Sequence, residues 1–133
     1  WAHINTVSYD AKEHSVLVCL RNLHTVVNID WDNLTLKWMV GDPSFWEETS
    51  MKDSLLRPVT DINWFYQAHA AYFLEDDIDG NPDTKHMIIY DNHWDKRRPA
   101  KNFDGDINSY VRIYNFLISF DRPINTLFCT AKC

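Results

Sequence analysis

Glycine is scarce, with three residues in a chain of 133. Nothing in the sequence therefore forms a Gly-rich loop to cradle phosphate or a Gly-x-Ser-x-Gly elbow to present a nucleophilic serine. No apolar run approaches the roughly 20 residues that a membrane-spanning helix needs. The opening Trp1-Ala2-His3-Ile4-Asn5 has neither the basic nor the apolar region of a secretory signal, and it does not begin with Met. We read the chain as a piece of a longer or processed protein, so this absence says nothing about where the parent resides. Positive charge is also short: 13 Lys+Arg against 19 Asp+Glu give a net charge of −6, which leaves no basic footprint to neutralise a nucleic-acid backbone. Cysteine is limited to three residues. Cys19, inside Val16-Leu17-Val18-Cys19-Leu20, reads as a small core residue. Cys129 and Cys133 are spaced for either a small disulfide loop or two free thiols.

What is present is a folded domain's composition: 45% hydrophobic and 24% charged residues. Six Trp, six Tyr and seven Phe favour pleated, half-buried surfaces. Segments rich in β-branched and aromatic residues recur at roughly ten-residue spacing between Asn, Asp, Gly and Pro punctuation, the habit of antiparallel all-β chains. Strands are expected at Ile4 to Tyr9, Ser15 to Leu20, Thr25 to Ile29, Leu34 to Val40, Ala70 to Leu74, His86 to Tyr90, Tyr110 to Phe116 and Asn125 to Phe128. Asp42 to Asp61 interrupts the pattern and is expected to carry a short helix near Ser44 to Leu56 or a long loop.

A faint internal repeat organises these strands. His3 opens one series of four and His69 opens another, giving units of approximately 1–66 and 67–133. Four strands joined by short turns are the content of one propeller blade. The expected fold is therefore all-β, about two four-stranded antiparallel blades of an incomplete β-propeller. Two blades alone would leave apolar faces wet, so further blades are expected in the parent.

His3 and His69 hold equivalent places in the repeat. In a propeller the first strand of each blade lines the central channel, so both imidazoles would meet in one axial pocket, able to hold an anion or move a proton. The alternative is that each caps a strand end or packs against Trp1 and Trp64. The run Asp91-Asn92-His93-Trp94-Asp95-Lys96-Arg97-Arg98-Pro99 follows a strand and could grip sulfate or phosphate through a guanidinium fork, or could be a solvated charged loop. A metal site from His3, His69 and His93 lacks tight ligand spacing. Asp77, Asp79, Asn81 and Asp83 look like part of a calcium loop, but the distal Glu is missing and Pro82 intrudes, so a hairpin turn is the better reading.

Three segments, Trp1-Ala2-His3-Ile4-Asn5-Thr6-Val7-Ser8-Tyr9-Asp10, Arg21-Asn22-Leu23-His24-Thr25-Val26-Val27-Asn28-Ile29-Asp30 and Trp38-Met39-Val40-Gly41-Asp42-Pro43, carry a wider likeness. With Gln67-Ala68-His69-Ala70 and Asp91-Asn92-His93-Trp94, the chain resembles the bacterial arylsulfate sulfotransferase (ASST) family. The resemblance implies a six-bladed propeller that moves a sulfuryl group from a phenolic sulfate ester to a phenol, by a ping-pong route through a sulfated histidine. It implies catalytic roles for His3, His69 and Arg98, with Arg97 a neighbouring alternative as sulfate holder. Asn5 and Arg97 are candidate substrate contacts, and Trp64, with Trp1, Phe65 and Tyr66, could wall in the aryl ring or serve core packing instead. The resemblance places the nucleophilic histidine in a later blade, beyond Cys133. No cofactor is implied. The implied partners are a small aryl sulfate donor and a phenol acceptor, with no nucleic acid and no membrane insertion, and a homodimer of the parent is compatible. The implied location is periplasmic or otherwise exported. The competing expectation is a propeller that binds or scaffolds without chemistry, since architecture does not dictate function.

Overall fold

The structure is a computed structural model that describes residues 1–58, 61–75, 78–82, 84–92, 110–117 and 126–132, the last two stretches as strand backbone only. Four strands, β1 (Ile4–Asp10), β2 (Ser15–Leu20), β3 (Thr25–Asp30) and β4 (Leu36–Gly41), form an antiparallel meander in sequence order. A second sheet holds β5 (Arg57–Pro58), β6 (His69–Phe73), β7 (Thr84–Asp91), β8 (Tyr110–Leu117) and β9 (Thr126–Lys132) in the order β5-β9-β8-β7-β6. All pairings in it are antiparallel except β5 with β9.

Acidic side chains make the turns. Asp10 Oδ1 accepts from the N–H groups of Lys12 and Glu13, and Asp30 Oδ1 accepts from those of Asp32 and Asn33. Asp79 Oδ1 likewise accepts from the Asn81 N–H and the Thr84 hydroxyl, which is the Asx chemistry of a hairpin turn. Asp77 and Asp83 lie outside the described residues.

The eight expected strands all form, β2 with both ends as expected and the others with at least one end moved, by at most four residues. β7 starts at Thr84 rather than His86, and β9 runs on to Lys132 rather than stopping at Phe128. Of the two expectations for Asp42 to Asp61, the long loop holds over the described residues and the helix near Ser44 to Leu56 does not form. Two single 3₁₀ turns, Pro43–Phe45 and Lys52–Ser54, stand there instead. Asp42 caps the first turn by accepting from Ser44 N–H. Beyond the second, Leu55 and Leu56 are drawn out beside β4, where Leu56 N–H donates to Met39 O and Leu55 bridges Met39. Tertiary docking thus overrides the local tendency to coil. The two-residue strand β5 had no sequence signal.

Leu17, Cys19, Val26 and Val40 of the first sheet meet Ala71, Met87 and Ile89 of the second, with Leu56, Phe65 and Ala68 between them. Strand alternation delivers these side chains to one face. Where the sheets meet, β1 and β6 run side by side, tied by polar contacts. Asn5 Nδ2 donates to Ala68 O, Ala70 N–H donates to Thr6 Oγ1, and Ser8 Oγ donates to Ala71 O. At the far end of β1, Lys85 Nζ reaches Asp10 Oδ2 at 2.6 Å and Glu13 Oε1 at 3.2 Å, and lies over the Phe73 ring. Cys19 is a free, buried thiol. The side chains of Cys129 and Cys133 lie outside the described residues.

Candidate functional site

His69 is the first residue of β6, and His3 lies immediately ahead of β1. Because those strands are neighbours, the two imidazoles meet edge to face with centroids 6.5 Å apart, inside the range of direct ring contact. The equivalence expected from the repeat is offset by one residue. In β1 the register slips between Ile4, opposite Leu20, and Thr6, opposite Cys19; in β6 it slips between His69, opposite Tyr90, and Ala71, opposite Ile89. The extra residues are Asn5 and Ala70, so His69 matches Ile4 in the pairing and His3 sits one step earlier. Such a bulge bends a strand and re-aims its side chains. The backbone is left-handed at His3 (φ 55°), Gln67 (φ 50°) and Ala70 (φ 51°), a conformation that costs a non-glycine residue about 1 kcal/mol or more. Strain of this kind gathers at both histidines.

The β2–β3 connection supplies a third group. Arg21–Leu23 is a 3₁₀ turn closed by His24 in the left-handed region (φ 52°). Arg21 N–H donates to His3 O and Asn22 N–H to Ala2 O, while the Asn22 amide donates to Trp1 O. The turn is thereby stapled to the segment that carries His3. Partial burial, the Arg21 charge and then His3 all push the His69 pKa below its ordinary value, since each penalises the imidazolium. The neutral imidazole is favoured.

Polar groups below the histidines are firmly held. Ala68 O accepts from Asn5 Nδ2 at 2.9 Å and from Cys19 Sγ at 3.3 Å. Burial pushes the Cys19 thiol up to about 12, so it remains a protonated donor. Gln67 N–H donates to His24 Nδ1 at 2.8 Å, Asn92 Nδ2 donates to Gln67 O at 2.7 Å, and Tyr66 N–H donates to Asp91 Oδ1 at 2.8 Å. Tyr66 OH donates to Asp42 Oδ2. Among the described residues two buried oxygens, Asn5 Oδ1 and Gln67 Oε1, have no hydrogen-bond partner; buried acceptors are seldom left so.

The structure thus brings His3, His69 and Asn5 together. Trp64 is half-buried against the core, Phe65 and Tyr66 are buried, and Trp1 is fully exposed. His93, Arg97 and Arg98 lie outside the described residues. Among the described residues no group of three His, Cys, Asp or Glu side chains gathers to hold a metal. Sequence reasoning assigned Arg21 and His24 no role. Arg21 directly follows Leu20, the strand residue paired with Ile4, a proximity that the register reveals and the sequence does not.

Comparison with known proteins decides the family. The model of the family described as Arylsulfotransferase (ASST) matches residues 1–122. The chain belongs to the ASST family. Arylsulfate sulfotransferase AssT of Escherichia coli O6:H1 (strain CFT073) is 37% identical over 59 residues, covering 44% of this chain and 9% of that protein. The match therefore spans a small part of the relative's length. No solved structure gives a significant match.

Proposed function

We propose that this ASST-family chain contributes the donor-handling centre of an aryl sulfotransferase, which moves a sulfuryl group from a phenolic sulfate ester to a phenol. The observation that carries the reading is His69, disposed to be neutral, facing His3 and the Arg21 charge. Sulfuryl transfer spreads negative charge over the sulfate oxygens and the leaving phenolate, so it needs a fixed cation and N–H donors around a nucleophile with a free lone pair. The resemblance puts the nucleophile beyond Cys133; within this chain we propose His69 for that role. Its ring nitrogen attacks sulfur, an N–S bond forms, the ester S–O bond breaks, and His3 gives a proton to the departing phenolate. A phenol then gives its proton back to His3, attacks sulfur and breaks the N–S bond, which frees His69. In this role Arg21 joins Arg98 as a candidate for the cation.

The two packed sheets are, in this reading, neighbouring blades of a six-bladed propeller. Support comes from the outer face of the first sheet. Val7 and Tyr9, paired with Val18 and Val16, are 61% and 53% exposed, an apolar edge that another sheet would cover. His3 is exposed, so the pocket needs walls from further blades, and the chain by itself is expected to be inactive.

The test uses the full-length protein with a chromogenic aryl sulfate and a phenol acceptor. Folded His69→Ala should lose both the burst of phenol release and turnover, and His3→Ala should lose roughly 100-fold or more in rate. Unchanged turnover in His69→Ala would remove it as nucleophile, and a wild-type protein without turnover would favour a binding module.

A further inference from the structure

We propose that His24 is a positioning residue for His69: as a neutral acceptor it pins the Gln67 peptide and so fixes the imidazole relative to Arg21. The proposal rests on the sulfotransferase reading for its kinetic consequence and on the geometry alone for its structural one.

Residues Tyr66 to Ala68 lead into β6 without strand pairing of their own, and Gln67 is held in the left-handed region. Side chains hold this lead-in at four of its peptide groups: Asp91 at Tyr66 N–H, His24 at Gln67 N–H, Asn92 at Gln67 O, and Asn5 with Cys19 at Ala68 O. A buried peptide group needs such a partner. His24 differs from the others in two ways. It is a histidine accepting through Nδ1, which requires the ring to be neutral with its proton on Nε2. It also closes the same 3₁₀ turn that carries Arg21.

One turn therefore bears on His69 in two ways. Three residues before His24 stands Arg21, whose charge acts on His69, and at His24 the turn grips the backbone two residues ahead of His69. The ring is 5% exposed and lies between Phe45 and Tyr66, with centroids at 5.5 and 5.6 Å, so it cannot swing away without opening the core. Gly41 presses on its backbone: a Cβ there would come within 2.7 Å of His24 O. Among the described residues, the titratable groups that act on His69 are Arg21 through its charge and His3 through ring contact; His24 acts on it through the chain.

The experiment compares His24→Leu, which fills the site without an acceptor, with His24→Asn, whose amide oxygen stands near the place of Nδ1. In the full-length protein the His69 titration midpoint is read by NMR, and kcat and KM for an aryl sulfate are measured beside it. His24→Leu should move the midpoint up toward the ordinary histidine value and lower kcat roughly 10- to 100-fold, with KM changed less than threefold. His24→Asn should recover most of both. A His69 midpoint and kcat within twofold of wild type in His24→Leu would overturn the proposal, as would a folded His24→Asn as impaired as His24→Leu. Should His24→Leu not fold, nitrogen NMR of the wild type decides: a neutral ring with an unprotonated, hydrogen-bonded Nδ1 supports the assignment, and a proton on Nδ1 overturns it. If no aryl sulfate is turned over at all, the function fails while the midpoint and tautomer still judge the positioning role.

Discussion

A charged imidazole at residue 69 would lose part of its hydration and then stand beside the Arg21 guanidinium and the His3 ring, and all three effects favour its neutral form. Removing the guanidinium removes one of them. His69 in Arg21→Met should therefore titrate at a higher pH than in the wild type, still below the ordinary value because burial remains; an unchanged or lower midpoint in an NMR titration would show that the charge does not reach the ring. The sign for activity follows. A neutral nucleophile is lost on protonation, so kcat/KM for the sulfate donor should fall on the acid side only below the ordinary histidine range, and its acid limb should mark the lowered value. At this scale the histidines were legible because they repeat, whereas Arg21 was not. A cation in a three-residue turn carries no pattern, and its importance comes from a chain crossing 48 residues away in sequence.

Strands show the opposite balance. β2, with Val16-Leu17-Val18-Cys19-Leu20, forms between the ends its sequence suggests, since an apolar β-branched run bounded by turn residues has few other ways to bury itself. Asp42 to Asp61 was ambiguous, because Leu55 and Leu56 are extended only by docking along Met39. The one-residue bulges at Asn5 and Ala70 were invisible for a related reason: register is a property of two strands. β4 supplies the test at this level. Gly41 ends it in contact with the start of β3, where an added methyl would meet His24 O at 2.7 Å and Thr25 Oγ1 at 2.8 Å. Since one of these is backbone, Gly41→Ala should destabilise the protein by about 1–3 kcal/mol and disturb the turn that carries Arg21. Denaturant unfolding checks the first effect and aryl sulfate turnover the second; a variant with wild-type stability would show that the β3–β4 contact is slack.

Two sheets joined along β1 and β6 must be held at both ends if the histidine pair is to keep its spacing. The site end is held by Asn5, Thr6 and Cys19, and the far end by Lys85 between Asp10 and Glu13. Burial by itself would raise the Asp10 carboxyl, but the hydrogen bond and charge of Lys85 and the N–H groups of Glu13 and Lys12 outweigh it and hold the group below its ordinary value. The stability this contributes is present above the ordinary carboxylate range and is lost as pH falls through the lowered value. Lys85→Met should cost about 1.5–3 kcal/mol near neutrality, with the deficit shrinking in strong acid as Asp10 takes up a proton. Unfolding curves for the variant and wild type at both pH values measure it; a deficit that does not change with pH would locate the cost in packing over Phe73 instead.

The sequence by itself determined an all-β chain, the order of its strands, its acidic turns, its family and the two histidines, because each is written in residue type and local spacing, or in repetition along the chain. Tertiary structure alone decided that the two rings touch, that the Arg21 turn is bonded to the segment carrying His3, and that His24 grips the peptide ahead of His69. Those contacts link residues 18 to 66 positions apart, and their distances depend on strand register and sheet packing, which local patterns leave free.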